Sequence, residues 1–241
     1  MAEFFHQVIY LPIYNTLVFF VDAVPGGDLG LAVVATTLVV KLILLPVSLA
    51  AAKTQQQMKV IQPELKALQE KYKDDKEKQA REMMALYEKH GIKPLSTFLL
   101  LFLQLPVLFG IFFVSQHAAQ AINPEYLYAF ITMPDVVSPL FLGIFSVATS
   151  SIGLAVAAGA TQLLYAVYAV PVPPKTEGTS MGEEFGRMMA QNMRTVFPVI
   201  IAVFAYTSGA IALYIATSNL FMLGQEALRR VIHKDPSPTL N

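Results

Sequence analysis

The sequence predicts an all-α integral membrane protein with five transmembrane helices and a cytoplasmic antiparallel helical hairpin. Three observations predict this class. Of the 241 residues, 55% are hydrophobic and only 14% charged, against about 25% charged in a soluble domain. Several apolar runs reach the ~20 residues that a helix needs to cross a bilayer, and the alternating short segments of a membrane barrel are absent, so the spans are helical. The 17 Lys and Arg are also unevenly placed. Residues 1–40 hold none, ten lie from Lys53 to Lys93, three from Lys175 to Arg194, and three are Arg229, Arg230 and Lys234. The stretch 118–137 has none and carries Glu125 and Asp135. The positive-inside rule then places residues 53–93, the 171–193 loop and the tail 229–241 in the cytoplasm, with the N-terminus and the 118–148 loop outside.

Residues 3–24 mix aromatic and aliphatic side chains with Tyr, Asn and Asp and contain Pro12. This pattern suits an amphipathic helix lying in the outer interface; a sixth span, with the N-terminus inside, is the alternative. The start MAEFFHQ lacks a positive n-region, so no cleavable signal peptide is expected. Pro25-Gly26-Gly27-Asp28 is a turn, and the first span follows at 29–51. Thr37, Lys41 and Ser48, spaced by four and seven, fall on one face of a continuous helix.

Residues 53–91 are charged and read as a helical hairpin, a solvated linker being the alternative. Pro63-Glu64 suits a first helical turn. Ile61, Leu65, Leu68 and Tyr72 recur at the spacing of a coiled-coil seam. Asp74 to Glu77 has capping-box form with Asp74 as N-cap. Ala80, Met83 and Tyr87 share one side of the second helix, and Gly91 is a C-cap signal. The second span is 95–117, with Gln104 near its middle and Pro106 as a kink signal. The external loop 118–148 contains Phe141 to Val147, apolar enough to be confused with a span. The third span is 149–170, the cytoplasmic loop 171–193, and the fourth and fifth spans are 194–207 and 210–228, with the tail 229–241 after them.

Catalytic and metal chemistry finds little support. The four histidines, His6, His90, His117 and His233, fall in different segments without ligand spacing, so no metal is expected. Gly178 to Gly182 matches G-x-S-x-G, but PVPPKTE precedes it where that motif needs a strand. Asp74/Asp75 and Glu183/Glu184 lie in solvated segments. No cofactor is expected and the chain does not read as an enzyme. With no cysteine, disulfides and thiolate sites are excluded.

Lys41 is the exception. It sits in VVATTLVVKLILLPVSLAAA, about 15 Å from either end of the span at 1.5 Å per residue. An ammonium near the midplane costs roughly 2.5–3.5 kcal/mol on insertion scales. No Asp or Glu lies inside the spans except Glu226 at the cytoplasmic end of the last. Lys41 therefore lines a hydrated cavity or awaits an anion, pairing with backbone carbonyls or Glu226 being the alternative. Gln104, Thr37 and Ser48 could line the same cavity; each alone would otherwise make an interhelical hydrogen bond worth on average about 0.6 kcal/mol.

The stretches VVKLILLPVSLAAAKTQQQMKVIQPELKALQEKYKDD, EMMALYEKHGIKPL, FLLLFLQLPVLFGIFF and ALYIATSNLF, in that order, resemble the YidC-type membrane protein insertases over nearly the whole chain, in the short bacterial form without a large external domain. The resemblance implies a five-span bundle around a hydrophilic groove open to the cytoplasm and to lipid. The family's groove arginine falls on Lys41 and its second-span glutamine on Gln104. Its third-span glutamine falls on Tyr165, with Gln162 a turn away. Its tryptophan falls on Ile215, and Asn219 is kept. Three groove positions thus depart from the family: Lys41, Tyr165 and Ile215. Lysine for arginine exchanges a bidentate planar cation for a point charge. The implied partners are nascent membrane proteins and lipid, with ribosome and Sec translocon contacts through the hairpin and basic tail. The groove is not expected to recognise nucleic acid.

Two other functions stay open on the residues alone. One is a small transporter or channel for an anionic solute centred on Lys41; the other is a structural partner of a larger translocation machine. A transporter would need an exit path and often carries internal repeats, which the sequence does not show.

Overall fold

The structure is a computed structural model that describes residues 2–92, 95–169 and 181–233. Its helices are α1 (Ala2–Phe5), α2 (Leu11–Ala23), α3 (Leu29–Ile43), α4 (Leu45–Lys71), α5 (Lys76–Lys89), α6 (Leu95–Gln120), α7 (Ile152–Ala169), α8 (Met181–Ala205) and α9 (Gly209–His233). Two two-residue strands, β1 (Leu140–Phe141) and β2 (Phe145–Ser146), are paired antiparallel. The chain forms two compact units, residues 1–41 with 108–241, and residues 42–107.

Four helical stretches are long and apolar enough to cross a membrane: Glu3–Ala23, Phe102–Gln120, Ile152–Ala169 and Arg187–Ala205. A fifth arises if Leu29–Ile43 and Leu45–Met58 count as one broken span. The all-α membrane class therefore holds, but this set differs from the expected five. The N-terminal stretch 3–24 joins it by length and composition. α9 falls outside it, because Thr217, Ser218, Asn219, Gln225 and Glu226 lower its apolarity.

Element boundaries also move. The helix expected over 29–51 is interrupted at Leu44, just before Pro46. Proline lacks the N–H that would continue the ladder, and its ring clashes with the preceding turn. Thr37 and Lys41 thus lie on α3 and Ser48 on α4. Residues 181–193, read as part of a loop, are helical and continuous with the fourth span. Met, Ala, Glu, Gln and Arg are good helix formers, and the polarity of this stretch concealed its propensity. The proline-rich run 171–174 and the first part of the G-x-S-x-G match lie outside the described residues, as does the tail from residue 234.

In the first unit, α1 passes into α2 through a π-helical turn, His6–Tyr10, in which the Leu11 N–H reaches the His6 carbonyl. Pro12 follows in the first turn of α2, where its missing N–H costs little. One side of α2 is buried through Tyr10, Ile13, Tyr14, Asn15, Leu17, Val18 and Val21.

The loop after α6 is tied down by buried side chains. Asn15, 2% exposed, donates to the Tyr126 carbonyl at 2.8 Å and accepts from the Tyr128 N–H at 2.6 Å. The Tyr14 hydroxyl accepts from the Asn123 N–H at 2.6 Å. Asp28 accepts from Leu31 N–H at 2.9 Å, capping α3, and from Leu142 N–H at 2.7 Å. Gln116 donates to the Ala148 carbonyl at 2.7 Å. Phe141 to Val147 is thus a short hairpin, not a span.

α7 packs against both α8 and α9. Small residues permit the approach: a Cβ on Gly159 would lie 2.8 Å from the Ala202 Cβ and 3.1 Å from the Pro198 carbonyl oxygen. Close packing of this kind replaces the hydrophobic effect between helices in lipid.

In the second unit, α4 and α5 pack on each other through Ile61, Leu65, Leu86 and Ile92, with Met58, Leu68, Met83 and Tyr87 at the margin. The N-cap of α5 is Asp75, not Asp74: its carboxylate accepts from Lys78 N–H at 2.9 Å. Pro63 lies inside α4 and does not start a helix. α5 ends in a Schellman motif. Gly91, at φ 63°, sits in the left-handed position. The Ile92 N–H bonds the Tyr87 carbonyl and the Gly91 N–H the Glu88 carbonyl, at 2.9 and 3.0 Å.

Two expectations follow. Gly209 lies so close to the loop that a Cβ there would collide with the Ser146 carbonyl oxygen, whereas Gly224 on the same helix meets nothing within 4 Å. Gly209→Ala should lower the thermal midpoint in detergent by an amount equivalent to about 1–3 kcal/mol. Gly224→Ala should leave it equal or higher, since alanine is favoured by about 1 kcal/mol in a helix interior. Ile61, 1% exposed, should lose about 2–5 kcal/mol on truncation to alanine, seen as faster hydrogen exchange confined to α4 and α5.

Candidate functional site

α3 positions the central residue. Its composition, LGLAVVATTLVVKLI, is apolar apart from Thr36, Thr37 and Lys41, and all three are buried, Lys41 to 7% exposure. The Thr37 hydroxyl donates to its own helix, at the Val33 carbonyl, 2.7 Å away. It is therefore occupied as a donor. The Thr36 hydroxyl is buried without a hydrogen-bond partner among the described residues.

The Lys41 ammonium lies 5.9 Å from the centre of the Tyr214 ring on α9. No carboxylate or hydrogen-bond acceptor pairs with it among the described residues. A cation over an aromatic face gains about 0.5–2 kcal/mol. That falls short of the roughly 2.5–3.5 kcal/mol that an ammonium costs at the middle of a span. The ring moderates the charge without neutralising it.

Glu226, the carboxylate among the expected alternative partners, is committed elsewhere. Its carboxylate accepts from Arg229 at 2.8 and 2.9 Å and from Arg230 at 2.9 Å. Arg230 also donates to the Tyr168 carbonyl at 2.6 Å and stacks on the Tyr168 ring at 4.1 Å. Arg194 on α8 donates to the Val167 carbonyl at 3.2 Å. The last carbonyls of α7, which lack intrahelical partners, are thus met by guanidinium groups from both neighbouring helices. Cations at a helix C-terminus also suit its dipole.

On α9, Thr217, Ser218 and Asn219 form a buried polar run. Asn219 donates to the Thr161 hydroxyl of α7 at 3.4 Å. The Ser218 hydroxyl is buried without a partner among the described residues. Gln162 beside Thr161 is buried, while Tyr165 and Ile215 are half-buried.

α9 therefore connects two of the expected positions to neighbours. It meets Lys41 through Tyr214, one residue before Ile215, and α7 through Asn219. No hydrogen bond or ion pair among the described residues joins Lys41 to Gln162, Tyr165 or Asn219. Ser48 and Gln104 belong to the second unit and are described with it: Ser48 donates to the Leu45 carbonyl at 2.9 Å, and Gln104 is half-buried.

Sequence reasoning missed Tyr214, because a tyrosine in an apolar run gives no sign of facing a cation 173 residues away in the chain. It also missed Thr36 and Ser218 as unpartnered hydroxyls. The Thr-Ser-Asn run in an otherwise apolar helix was the available signal for Ser218.

A family model described as 60Kd inner membrane protein matches residues 20–235. The chain is similar to the membrane protein insertase YidC of Fusobacterium nucleatum, at 30% identity over 83% of this chain and 85% of that one. It is similar to the membrane protein insertase YidC of Clostridium tetani, at 28% identity over 88% and 86%. The membrane protein insertase MisCA of Bacillus subtilis is 28% identical over 98% of this chain and 84% of its own. The matched residues run from the end of α2 through the whole of α9 and take in Lys41, Tyr214 and the polar run, so this multi-pass chain belongs to the 60Kd inner membrane protein family.

Proposed function

We propose that this chain is a membrane protein insertase. It receives hydrophilic tails and hydrophobic segments of nascent membrane proteins in a groove open to the cytoplasm and to lipid, and releases them into the bilayer. The observation that carries this reading is Lys41: a buried cation in an apolar helix with no carboxylate partner among the described residues. The relatives named membrane protein insertase support it.

The mechanism separates driving force from barrier. A segment of ~20 apolar residues, each worth about −0.3 to −0.6 kcal/mol at the centre of a span, gains roughly 6–12 kcal/mol by partition. That is enough to drive insertion without a chemical energy source. The barrier is the polar tail, since each Asp costs about 2.5–3.5 kcal/mol at the midplane. Lys41 lowers it by offering a cation where the tail's carboxylates are least solvated. The apolar segment then leaves along α3, α7 and α9.

In the proposed topology, residues 3–24 lie in the outer interface and the N-terminus and the 118–148 loop are outside. The α4–α5 hairpin, the 171–193 connection and the tail are cytoplasmic. The hairpin and tail are the surfaces that would meet a ribosome or the Sec translocon. The site as proposed rests on the first unit: Lys41, Thr37, Tyr214, Gln162, Tyr165, Ile215 and Asn219.

Reconstituted vesicles test the role of the charge. Protease protection of the tail should show Lys41→Arg inserting substrates at near the unaltered rate. Lys41→Ala should slow acidic-tailed substrates by about tenfold, the equivalent of 1.4 kcal/mol, and neutral-tailed ones far less. Equal rates for both tails would remove the electrostatic role. Tyr214→Phe keeps the ring and should behave as the parent. Tyr214→Leu should change acidic-tail insertion by a smaller factor than Lys41→Ala, because the charge itself remains.

A further inference from the structure

The hairpin formed by β1 and β2 has an unusual distribution of apolar side chains. Phe141 and Phe145 face each other across the pair and turn toward the bundle. Phe141 covers Gly30 in the first turn of α3, and Phe145 covers Gly153 in the first turn of α7; a Cβ at either glycine would collide with the ring. Between them, Leu142 and Ile144 point away from the protein, 57% and 72% exposed.

The turn itself does not ask for these residues. Leu142 and Gly143 have φ of 53° and 70°, and the Ile144 N–H bonds the Phe141 carbonyl at 3.1 Å. Two successive positive φ values favour Asn-Gly or Gly-Gly. A leucine there is strained and is exposed as well. In water such a residue would lose on both counts.

The surroundings point to what covers it. Ile152 and Val156, four residues apart on α7, are 70% and 61% exposed. The apolar outer surface of α7 therefore begins at its first residue, level with the hairpin that packs on its first turn. No charged residue occurs between Asp135 and Lys175. We propose that the Leu142–Ile144 tip is an outer-leaflet anchor, whose occupant is the upper acyl region of the bilayer. The turn's backbone stays at the hydrated interface, where unpaired carbonyls are tolerated, and only the two side chains enter hydrocarbon.

This anchor bears on the site. Gly30 and Lys41 are eleven residues apart in one helix, about 16 Å along the axis. With Gly30 held at one interface by Phe141, Lys41 lies near the middle of a hydrocarbon core about 30 Å thick. The inference rests on α3 and α7 being spans, not on insertase activity.

The chain has no tryptophan, so Leu142→Trp and Ile144→Trp each give a single reporter. Glu125→Trp, at an exposed position of the same loop, is the aqueous control. The purified full chain is reconstituted into phosphatidylcholine–phosphatidylglycerol vesicles, with or without lipid brominated at the upper acyl carbons in both leaflets. Both tip reporters should emit at shorter wavelength than the control and lose roughly half their intensity to the brominated lipid, as interfacial tryptophans do. Iodide should quench the control far more than the tip. Circular dichroism shows whether each variant is folded, and the Ile144 variant stands if the strained Leu142 position does not tolerate tryptophan. Tip reporters that iodide quenches and brominated lipid does not would overturn the proposal. So would tip reporters shielded from both, since a protein partner would then be covering the tip. These readouts do not involve substrate, so their failure leaves the insertion assay to stand or fall separately.

Discussion

Hydrocarbon offers no hydrogen bonds, so a backbone that leaves the helix near a membrane must be met by the protein itself. This constraint accounts for several polar side chains in the first unit. Asn15 supplies both a donor and an acceptor to the 126–128 backbone, taking the place of a paired strand. Asp28 serves the start of α3 and the hairpin turn with its two carboxylate oxygens. Gln116 reaches the Ala148 carbonyl, and the Ser208 hydroxyl reaches Val147 at 3.3 Å. The same accounting holds at the far end of α7, where Arg194 and Arg230 supply donors to its last carbonyls. These polar groups each serve a backbone group, which makes the buried ones without a partner among the described residues informative.

Among the described residues, the Thr36 and Ser218 hydroxyls lack a hydrogen-bond partner and the Lys41 ammonium lacks a carboxylate. A buried hydroxyl without a partner costs about 1–3 kcal/mol, and the lysine costs at least as much. These costs are comparable to a large fraction of ordinary folding stability. Retaining them together, on α3 and α9, is hard to reconcile with a purely structural bundle, in which apolar residues would pack at no such penalty. The Tyr214 ring, 5.9 Å away, is the aromatic face that meets the lysine. An aromatic face gains from the charge but makes no directed bond, so a carboxylate can replace it without first breaking a salt bridge.

The sequence was most legible where a single physical rule dominated. Apolar run length identified most of the spans, and the charge of residues 53–91 separated them from the rest. The Ile61–Leu65 seam could be read from spacing because α4 is exposed on its other faces, so period and burial coincide. Capping chemistry could be read only to within one residue, because Asp74 and Asp75 offer the same carboxylate and the geometry selects the second. The break at Leu44 and the helix over 181–193 were misread for opposite reasons. Apolarity concealed the effect of Pro46 in the first case, and polarity concealed good helix propensity in the second. At the site, Lys41 was conspicuous because a charge among apolar residues needs no context. Tyr214 was not, because its role depends on a partner far away in the chain. Gln162, in contrast, could be named from the family resemblance, and its burial is consistent with a place facing the bundle.

α9 shows how the two demands on this protein are reconciled. It is not among the helices apolar enough to count as a span, and it touches both α3 and α7. Its place in the bundle must then come from packing and from its ends. At one end, its Gly209 and Ala210 N–H groups bond the Thr149 and Val147 carbonyls at 2.9 and 2.8 Å. At the other, Glu226 gathers Arg229 and Arg230, and Arg230 grips α7. That second arrangement also decides the electrostatics of the middle. A carboxylate already holding two guanidinium groups has little left to attract a third cation, and moving it toward Lys41 would strand both arginines. The acid in α9 therefore stabilises the end of the bundle, and among the described residues no carboxylate pairs with Lys41.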